Sequence, residues 1–360
     1  MLLSASVYAS KTDLKQNAIA LEQLGIDYFH IDCKNNAVVF EDIANIREVS
    51  KVPMDLHIIA SQPEVFYDKI RKGKIEQVAF QWEDIEDKET FITHCRLQFK
   101  NANPAVLSPS GGGKGEEFEA STPPPQIGIA LTTETALPSK EILSGFDFVL
   151  LMCTVPGESG GVFDNRNLAR IIQLKYEHPQ LKIHVDGGVN NEIAFVLRLL
   201  GVDLIVSGSY LMNHELLASG MLNLMRTPES LDTAKHIAVK EFMVPKQYMP
   251  VLNQHNIDFK KILQTIENHK LGFVLIENGK FEGVVTNADI RRGLLKNMDS
   301  LNKIQVTDLI NNSPISINEN ASLNDLLKLI RHLNFIILFL PVVDGQNHLK
   351  GAILLNNLLR

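Results

Sequence analysis

Residues 29–33 read Phe-His-Ile-Asp-Cys, a short apolar run ending in an imidazole and a carboxylate two residues apart. The construction recurs as Met-Asp-Leu-His-Ile-Ile at 54–59 and Ile-His-Val-Asp-Gly-Gly at 183–188. In a strand, side chains two apart share a face. His30 with Asp32, Asp55 with His57, and His184 with Asp186 therefore each point one way. A single such pair has an ordinary reading, because a strand-end Asp often caps the next helix and a His in an apolar strand is usually a satisfied core group. Three pairs built alike, the third running into Gly-Gly, point instead to one shared site.

Outward from these runs the pattern is regular. Strand-like runs lie near 4–8, 26–32, 54–59, 76–82, 127–131, 146–152, 182–188 and 204–209, with helix spacing between most of them, as at Leu14–Leu24, Glu64–Lys72 and Leu168–Tyr176. Alternation of this kind means parallel strands with crossover helices. Eight units in about 215 residues fit a compact (β/α)8 TIM barrel, whose catalytic groups gather where the C-terminal ends of the strands meet. The α/β barrel is expected over residues 1–220, a linker over 221–237 that includes the Pro228-Glu229-Ser230 turn, and a second, α+β domain over 238–360. A chain of 360 residues exceeds what one core usually serves, in keeping with two domains.

The second domain repeats itself. FKKILQTIENHKLGFVLIENGKFEGVVTNADIRRGLL and LNDLLKLIRHLNFIILFLPVVDGQNHLKGAILLNNLL share one order: helix, strand, turn, strand, short helix. Asn278-Gly279 and Asp344-Gly345 are the expected hairpin turns. The most apolar stretch, FIILFLPVV near residue 340, is too short to cross a membrane and reads as a buried strand. Net charge is −7 with no basic stripe, which argues against nucleic acid as a partner. Three widely spaced cysteines, Cys33, Cys95 and Cys153, make no disulfide framework; with no signal-like start, a reducing cytoplasm is expected. Residues 100–125, rich in Gly, Pro and Ser, read as a surface loop, with a lid over the barrel mouth as the functional alternative; GGGKG lacks the strand and helix a phosphate loop needs.

Two imidazoles, His30 and His57, and two carboxylates, Asp32 and Asp186, meeting at a barrel mouth make an open site for one divalent metal, with carboxylates available for proton transfer. That set suits removal of a proton from carbon beside a ketone, where an enediolate forms. Inversion needs an acid on the opposite face, and Asp32 and Asp186 come from opposed sides of the barrel. Glycines at Gly187-Gly188 and Gly208-Ser209, with Gly160-Gly161 after strand six, let backbone N–H groups approach a phosphate.

Through these motifs, residues 1–215 resemble ribulose-phosphate 3-epimerases. FHIDC matches the family's HID segment, MDLHII its DVHLM segment, VLLMCTVPGESGG its VMTVNPGFGG segment, HVDGGVN its VDGGI run and LIVSGS its VAGSA run. The resemblance implies a zinc-, iron-, manganese- or cobalt-type ion held by His30, Asp32, His57 and Asp186. It implies Asp32 and Asp186 as the acid–base pair and a ketose phosphate as substrate. Phosphate would be held by Gly187, Gly188, Gly208 and Ser209 with Gly160, and Ser6 is the candidate serine at the end of strand one. There are departures. The family's VMDG after HID becomes Cys33-Lys34-Asn35-Asn36, and its strand-four Phe-His pair becomes Phe80-Gln81. Its PGFGGQ becomes PGESGG. A different ketose phosphate is therefore open. Decarboxylases and synthases with an Asp-x-Lys-x-x-Asp run are a poorer match, because position 37 is Ala.

The second unit resembles a tandem cystathionine-beta-synthase (CBS) pair. The resemblance implies an adenine nucleotide as regulator, its ribose met by Thr286 and Asp289, and a homo-oligomer formed through the pair. The cap alternative for Asp289 stands beside that reading, and in the second copy the same positions are Leu355 and Leu358. The class-level alternative to an enzyme is a non-catalytic sugar-phosphate or nucleotide sensor.

Overall fold

The computed structural model describes residues 1–10, 12–100, 123–154, 160–227, 237–300, 304–333 and 335–359. The chain divides into two compact units, Met1–Pro228 and Glu229–Arg360. Most of the expected 100–125 loop, residues 155–159 before Gly160 and the Pro228-Glu229-Ser230 turn lie outside the described residues.

In the first unit, β1 (Leu2–Ser6), β2 (Tyr28–Lys34), β3 (Met54–Ile59), β4 (Gln77–Gln81), β5 (Gln126–Thr132), β6 (Phe148–Met152), β7 (Lys182–Asp186) and β8 (Leu204–Ser207) pair in parallel and in order, and β8 closes on β1. Around them run α1 (Leu14–Gln23), α2 (Val39–Arg47), α3 (Tyr67–Lys72), α4 (Lys88–Cys95), α5 (Lys140–Leu143), α6 (Arg166–Glu177), α7 (Asn191–Leu199), α8 (Ser209–Met212) and α9 (Leu217–Met225). Strands covered on both faces need apolar residues in both parities, and β4 and β6 are buried at every position. The first strand sits earlier than the Ser4–Tyr8 run: Val7–Ala9 has already turned into a 3-10 helix.

The end of the barrel away from the mouth carries a fourfold device. Asp27, Glu76, Asp147 and Asp203 stand directly before β2, β4, β6 and β8. Each carboxylate accepts the N–H of the preceding strand's first residues: Leu3 at 2.8 Å, Met54 at 2.7 Å, Ile127 at 2.8 Å and Ile183 at 2.8 Å. An N–H at a strand start has no ladder partner, so an acceptor there satisfies a group that burial would otherwise penalise. The sequence signature is an apolar residue then an acid, as in Ile26-Asp27 and Val202-Asp203.

Inside the barrel, Ala79, Ala130, Phe148, Leu150 and Met152 form a buried cluster. Gly128 leaves room for the Phe148 ring: a Cβ there would lie 2.4 Å from ring atom Cε2. We expect Gly128→Val to overpack this layer and destabilise the barrel by about 2 kcal/mol, read as a lower urea midpoint with an unchanged slope.

The second unit has two sheets. The elements are α10 (Val239–Phe242), β9 (Val244–Pro245), β10 (Val251–Asn253), α11 (Phe259–His269), β11 (Phe273–Asn278), β12 (Lys280–Thr286), α12 (Asn287–Lys296), β13 (Ile317–Asn318), α13 (Leu323–His332), β14 (Phe339–Val343) and β15 (Leu349–Leu354). One sheet runs β10-β11-β12 and the other β13-β14-β15-β9. Each contains a parallel pair followed by an antiparallel hairpin, β10·β11·β12 and β13·β14·β15, so the sequence repeat is a structural repeat. Phe273 and Phe339, at equivalent places, stack with centroids 3.7 Å apart.

Two expectations in this unit are corrected. The second hairpin is not a tight Asp344-Gly345 turn. Asp344–His348 forms a longer loop closed by the Asp344 N–H on the His348 carbonyl, and the left-handed residue is Asn347 at φ 65°. The FIILFLPVV stretch is only partly a buried strand: Phe335 and Ile336 are 60% and 80% exposed, and pairing begins at Phe339. Before Phe339 only the Leu338 carbonyl, which accepts the Leu355 N–H at 2.8 Å, continues the pairing among the described residues, since β15 ends at Leu354. Pro341 is tolerated because β13 pairs only with Val342 and Val343.

Candidate active site

Alternation along β2 and β3, in the register Asp32↔His57, brings the first three expected groups together. Ligand atoms of His30, Asp32 and His57 lie within 4.8 Å of one another. His30 Nε2 is 3.3 Å from Asp32 Oδ1 and 3.8 Å from Asp186 Oδ2. His57 Nδ1 is 3.0 Å from the same Asp32 oxygen. β2 and β7 are three places apart around the ring by the shorter way, so the two carboxylates reach His30 from well-separated directions.

The outer nitrogens are held as well. His30 Nδ1 donates to Asp55 Oδ2 at 2.8 Å, and Asp55 also accepts the Ser4 hydroxyl at 3.0 Å. His57 Nε2 lies 2.8 Å from Gln81 Oε1. Each ring thus turns one nitrogen toward a fixed acceptor and the other toward Asp32. Two imidazole nitrogens and carboxylate oxygens converging on one point, with the far nitrogens anchored, are a donor set that fits a divalent ion.

Electrostatics separate the carboxylates. Burial opposes ionisation of Asp32, but hydrogen bonds from His30 and His57 outweigh it and hold its carboxyl well below the usual range. Asp186 has fewer such partners; burial, together with the charge of Asp32, raises it to about 6 despite the pull of His30. His30 is pushed well up, burial notwithstanding, by Asp55 and Asp32.

Asp55 and His184 complete the three sequence pairs, yet both lie fully inside, below the mouth. His184 stacks on Phe148 at 4.2 Å, and its Nδ1 is buried with no hydrogen-bond partner among the described residues. Burial lowers its imidazole to about 4. The unfolded chain takes up this proton near 6.5 and the folded chain only near 4. Between those values the unfolded state binds more protons, so stability falls as pH drops from about 6.5 to about 4, by up to about 3 kcal/mol. Urea unfolding of the metal-free protein at pH 7.5 and 4.5 should show this loss, and His184→Gln should remove that share of it.

The expected phosphate residues are placed as follows. Gly187 and Gly188 have φ of 102° and 67°, and Gly160 has 89°. A Cβ on Gly187 would meet Thr154 Oγ1 at 2.3 Å, and one on Gly188 would meet the Phe163 nitrogen at 2.2 Å. Gly208 and Ser209 leave β8 next door, with Gly208 beside Ser6: a Cβ on Gly208 would be 3.6 Å from the Ser6 hydroxyl. In the second unit, Thr286 and Asp289 form a reciprocal cap on α12. The Thr286 N–H and hydroxyl donate to Asp289 Oδ2 at 2.8 and 2.5 Å, and Arg292 pairs with the other carboxylate oxygen. All three cysteines are buried, and none is in a disulfide.

Comparison with known proteins identifies the family of the barrel. The ribulose-phosphate 3-epimerase family model matches residues 2–110 and 124–212, more than half of the chain. The chain belongs to the ribulose-phosphate 3-epimerase family. The ribulose-phosphate 3-epimerase of Aquifex aeolicus is 27% identical over 197 residues, spanning 51% of this chain and 77% of that protein. That of Helicobacter pylori is 28% identical over 200 residues, spanning 51% and 79%. The CBS domain model matches residues 306–360. Among solved structures, CBSX2 in complex with AMP matches 34% of this chain and 94% of its own, at 24% identity and a TM-score of 0.30.

Within this epimerase-family barrel, sequence reading singled out the residues at the centre but not their supports. Ser4, one turn of the pleat below Ser6, is the hydroxyl that reaches the histidine network. Gln81 is marked in the sequence only as the departure from the family's strand-four Phe-His pair, and Glu83 stands out only by parity, two residues on at the exit of β4. No helix among the described residues is long and apolar enough to cross a membrane.

Proposed function

We propose that the barrel is a metal-dependent 3-epimerase of a ketose phosphate, with ribulose 5-phosphate and xylulose 5-phosphate as the first pair to test. The observation that carries this is the approach of Asp32 and Asp186 to one His30 nitrogen from separate strands, with their carboxyls pushed apart in acidity. Asp32 is ionised near neutral pH and can accept the C3 proton. The electron pair left behind moves onto the C2 carbonyl oxygen, forming an enediolate. Asp186, with its raised carboxyl, delivers a proton to the opposite face of C3. The reverse reaction exchanges the roles. His30 Nε2, Asp32, His57 Nδ1 and Asp186 would hold a divalent ion of the zinc, iron, manganese or cobalt kind. Bound there, it would supply positive charge against the oxygens of the enediolate. Backbone amides at Gly187, Gly188, Gly208 and Ser209, with Gly160 and Ser6 nearby, would take the phosphate. Lys34 shares the strand face of His30 and Asp32 and is exposed, so the screen should include ketoses with a second acidic group. The test is proton exchange at C3 in heavy water across phosphorylated ketoses: no exchange and no epimer with any of them would sink the catalytic reading and leave the sensor.

For the second unit, residues 238–360, the proposal is a CBS-type regulator. Beside Asp289 lies a cavity of about 210 Å³ that Arg292 and Lys296 also line. An adenine nucleotide there would set its ribose against Thr286 and Asp289, replacing the Arg292 contact and freeing that cation for phosphate. Calorimetry of the full chain with AMP and ATP tests it: Asp289→Ala should abolish binding, and wild-type protein that binds neither nucleotide refutes it. Exposed Leu295, Met298, Phe335 and Ile336 in the same unit support a homo-oligomer. Sedimentation should show more than one copy, and Ile336→Lys should shift it toward monomer.

A further inference from the structure

We infer that Gln81 is a positioning residue: its side-chain oxygen fixes His57 with hydrogen on Nε2 and so directs Nδ1 at Asp32. This deepens the metal reading, since His57 Nδ1 is the ligand atom assigned there.

An imidazole can present either nitrogen as a bare lone pair, and a partner on one decides the other. The amide oxygen of Gln81 can only accept, so at 2.8 Å it requires a hydrogen on His57 Nε2. The amide could in principle turn over and offer NH2 instead. Glu83 prevents this. Gln81 Nε2 donates to Glu83 Oε2 at 2.5 Å, and a turned amide would set its oxygen against that carboxylate. Glu83 is itself pinned. Its other oxygen accepts the Thr132 N–H at 2.9 Å, the Thr132 hydroxyl at 3.0 Å and the Thr135 hydroxyl. Its carboxyl is held low, burial notwithstanding, by these hydrogen bonds, Thr135 first, so it remains an acceptor. Gln81 is buried, so its amide has little access to bulk water as a substitute partner. Hydrogen bonds of fixed direction thus link His57 through Gln81 to Glu83, which the end of β5 and the loop after it anchor. Where the family resemblance places a histidine at position 81, this chain has a group that cannot titrate and cannot exchange donor for acceptor while Glu83 is ionised.

The test is long-range proton–nitrogen NMR of the full chain labelled at histidine, metal-free and again with added Zn²⁺. His57 Nε2 is expected to be protonated in both states; an unprotonated Nε2 in the metal-free protein overturns the inference. Zn²⁺ affinity, from competition with a chromophoric chelator, should fall 10- to 100-fold in Gln81→Leu and recover largely in Gln81→His, whose ring nitrogen can accept. The unfolding midpoint of each variant separates lost positioning from lost fold. Wild-type affinity in a folded Gln81→Leu also overturns it. Should Gln81→Leu not fold, the wild-type nitrogen spectrum decides. Absence of Zn²⁺ binding to wild type would defeat the metal reading alone, because the metal-free spectrum judges Gln81 by itself.

Discussion

Asp32→Asn is expected to lower turnover of the ketose phosphate by about 10³- to 10⁴-fold, within the range that removal of a positioned acid or base spans at its upper end. Exchange of the C3 proton of the epimer that Asp32 deprotonates should stop with it. The substitution keeps an oxygen in place at 3.0 Å from His57 and 3.3 Å from His30, so loss of the base is tested rather than loss of shape. Asp186→Asn is the informative companion. It leaves Asp32 able to remove the proton of one epimer and return it to the same face. Deuterium should therefore still enter that epimer while inversion fails. Two mutants that both lose inversion but differ in exchange are the signature of two bases. Wild-type exchange in Asp32→Asn would remove that residue from the chemistry.

Removal of the divalent ion by a strong chelator should suppress epimerisation by at least about a thousandfold, since charge stabilisation of this kind is worth several kcal/mol. Return of zinc, iron, manganese or cobalt should restore it, and His57→Ala should resist restoration at ion concentrations that saturate wild type. The barrel closes through backbone pairing of its eight strands, so the fold itself should survive the treatment, as circular dichroism would report. Full activity after verified removal of all metal would leave the carboxylates and imidazoles as the sole machinery.

Much of this was legible in order along the chain. The strand ends at Asp32, His57 and Asp186 carry a period of two that any reader of the sequence can follow, and the repeat after residue 238 predicts two similar sheets, which form. Glu83 and Ser4 were not legible as parts of the site. Their partners, Gln81 with Thr132 and Asp55 respectively, include residues 49 and 51 positions away, and no local pattern encodes such a pairing. His184 shows the converse. Its spacing from Asp186 matches that of His30 from Asp32, yet it stacks on Phe148 below the site, since the layer a side chain occupies depends on the stagger of neighbouring strands. The exposed Phe335 and Ile336 show the same limit: an apolar run says what a segment prefers, not whether a neighbour is present to cover it.

From the linear chain alone came the eight-unit barrel, the doubled second unit and the identity of the four central side chains, because each depends on spacing within a few residues and on the rule that parallel strands bring their C-terminal ends to one rim. Closure of the ring decided the rest: which imidazole nitrogen faces inward, which carboxylate is kept ionised and which is raised, and that a glutamine anchored by Glu83 orients His57. Those properties arise from hydrogen bonds and burial between neighbouring strands, and the approach of Asp186 on β7 to His30 on β2 needs the ring that β8 closes on β1.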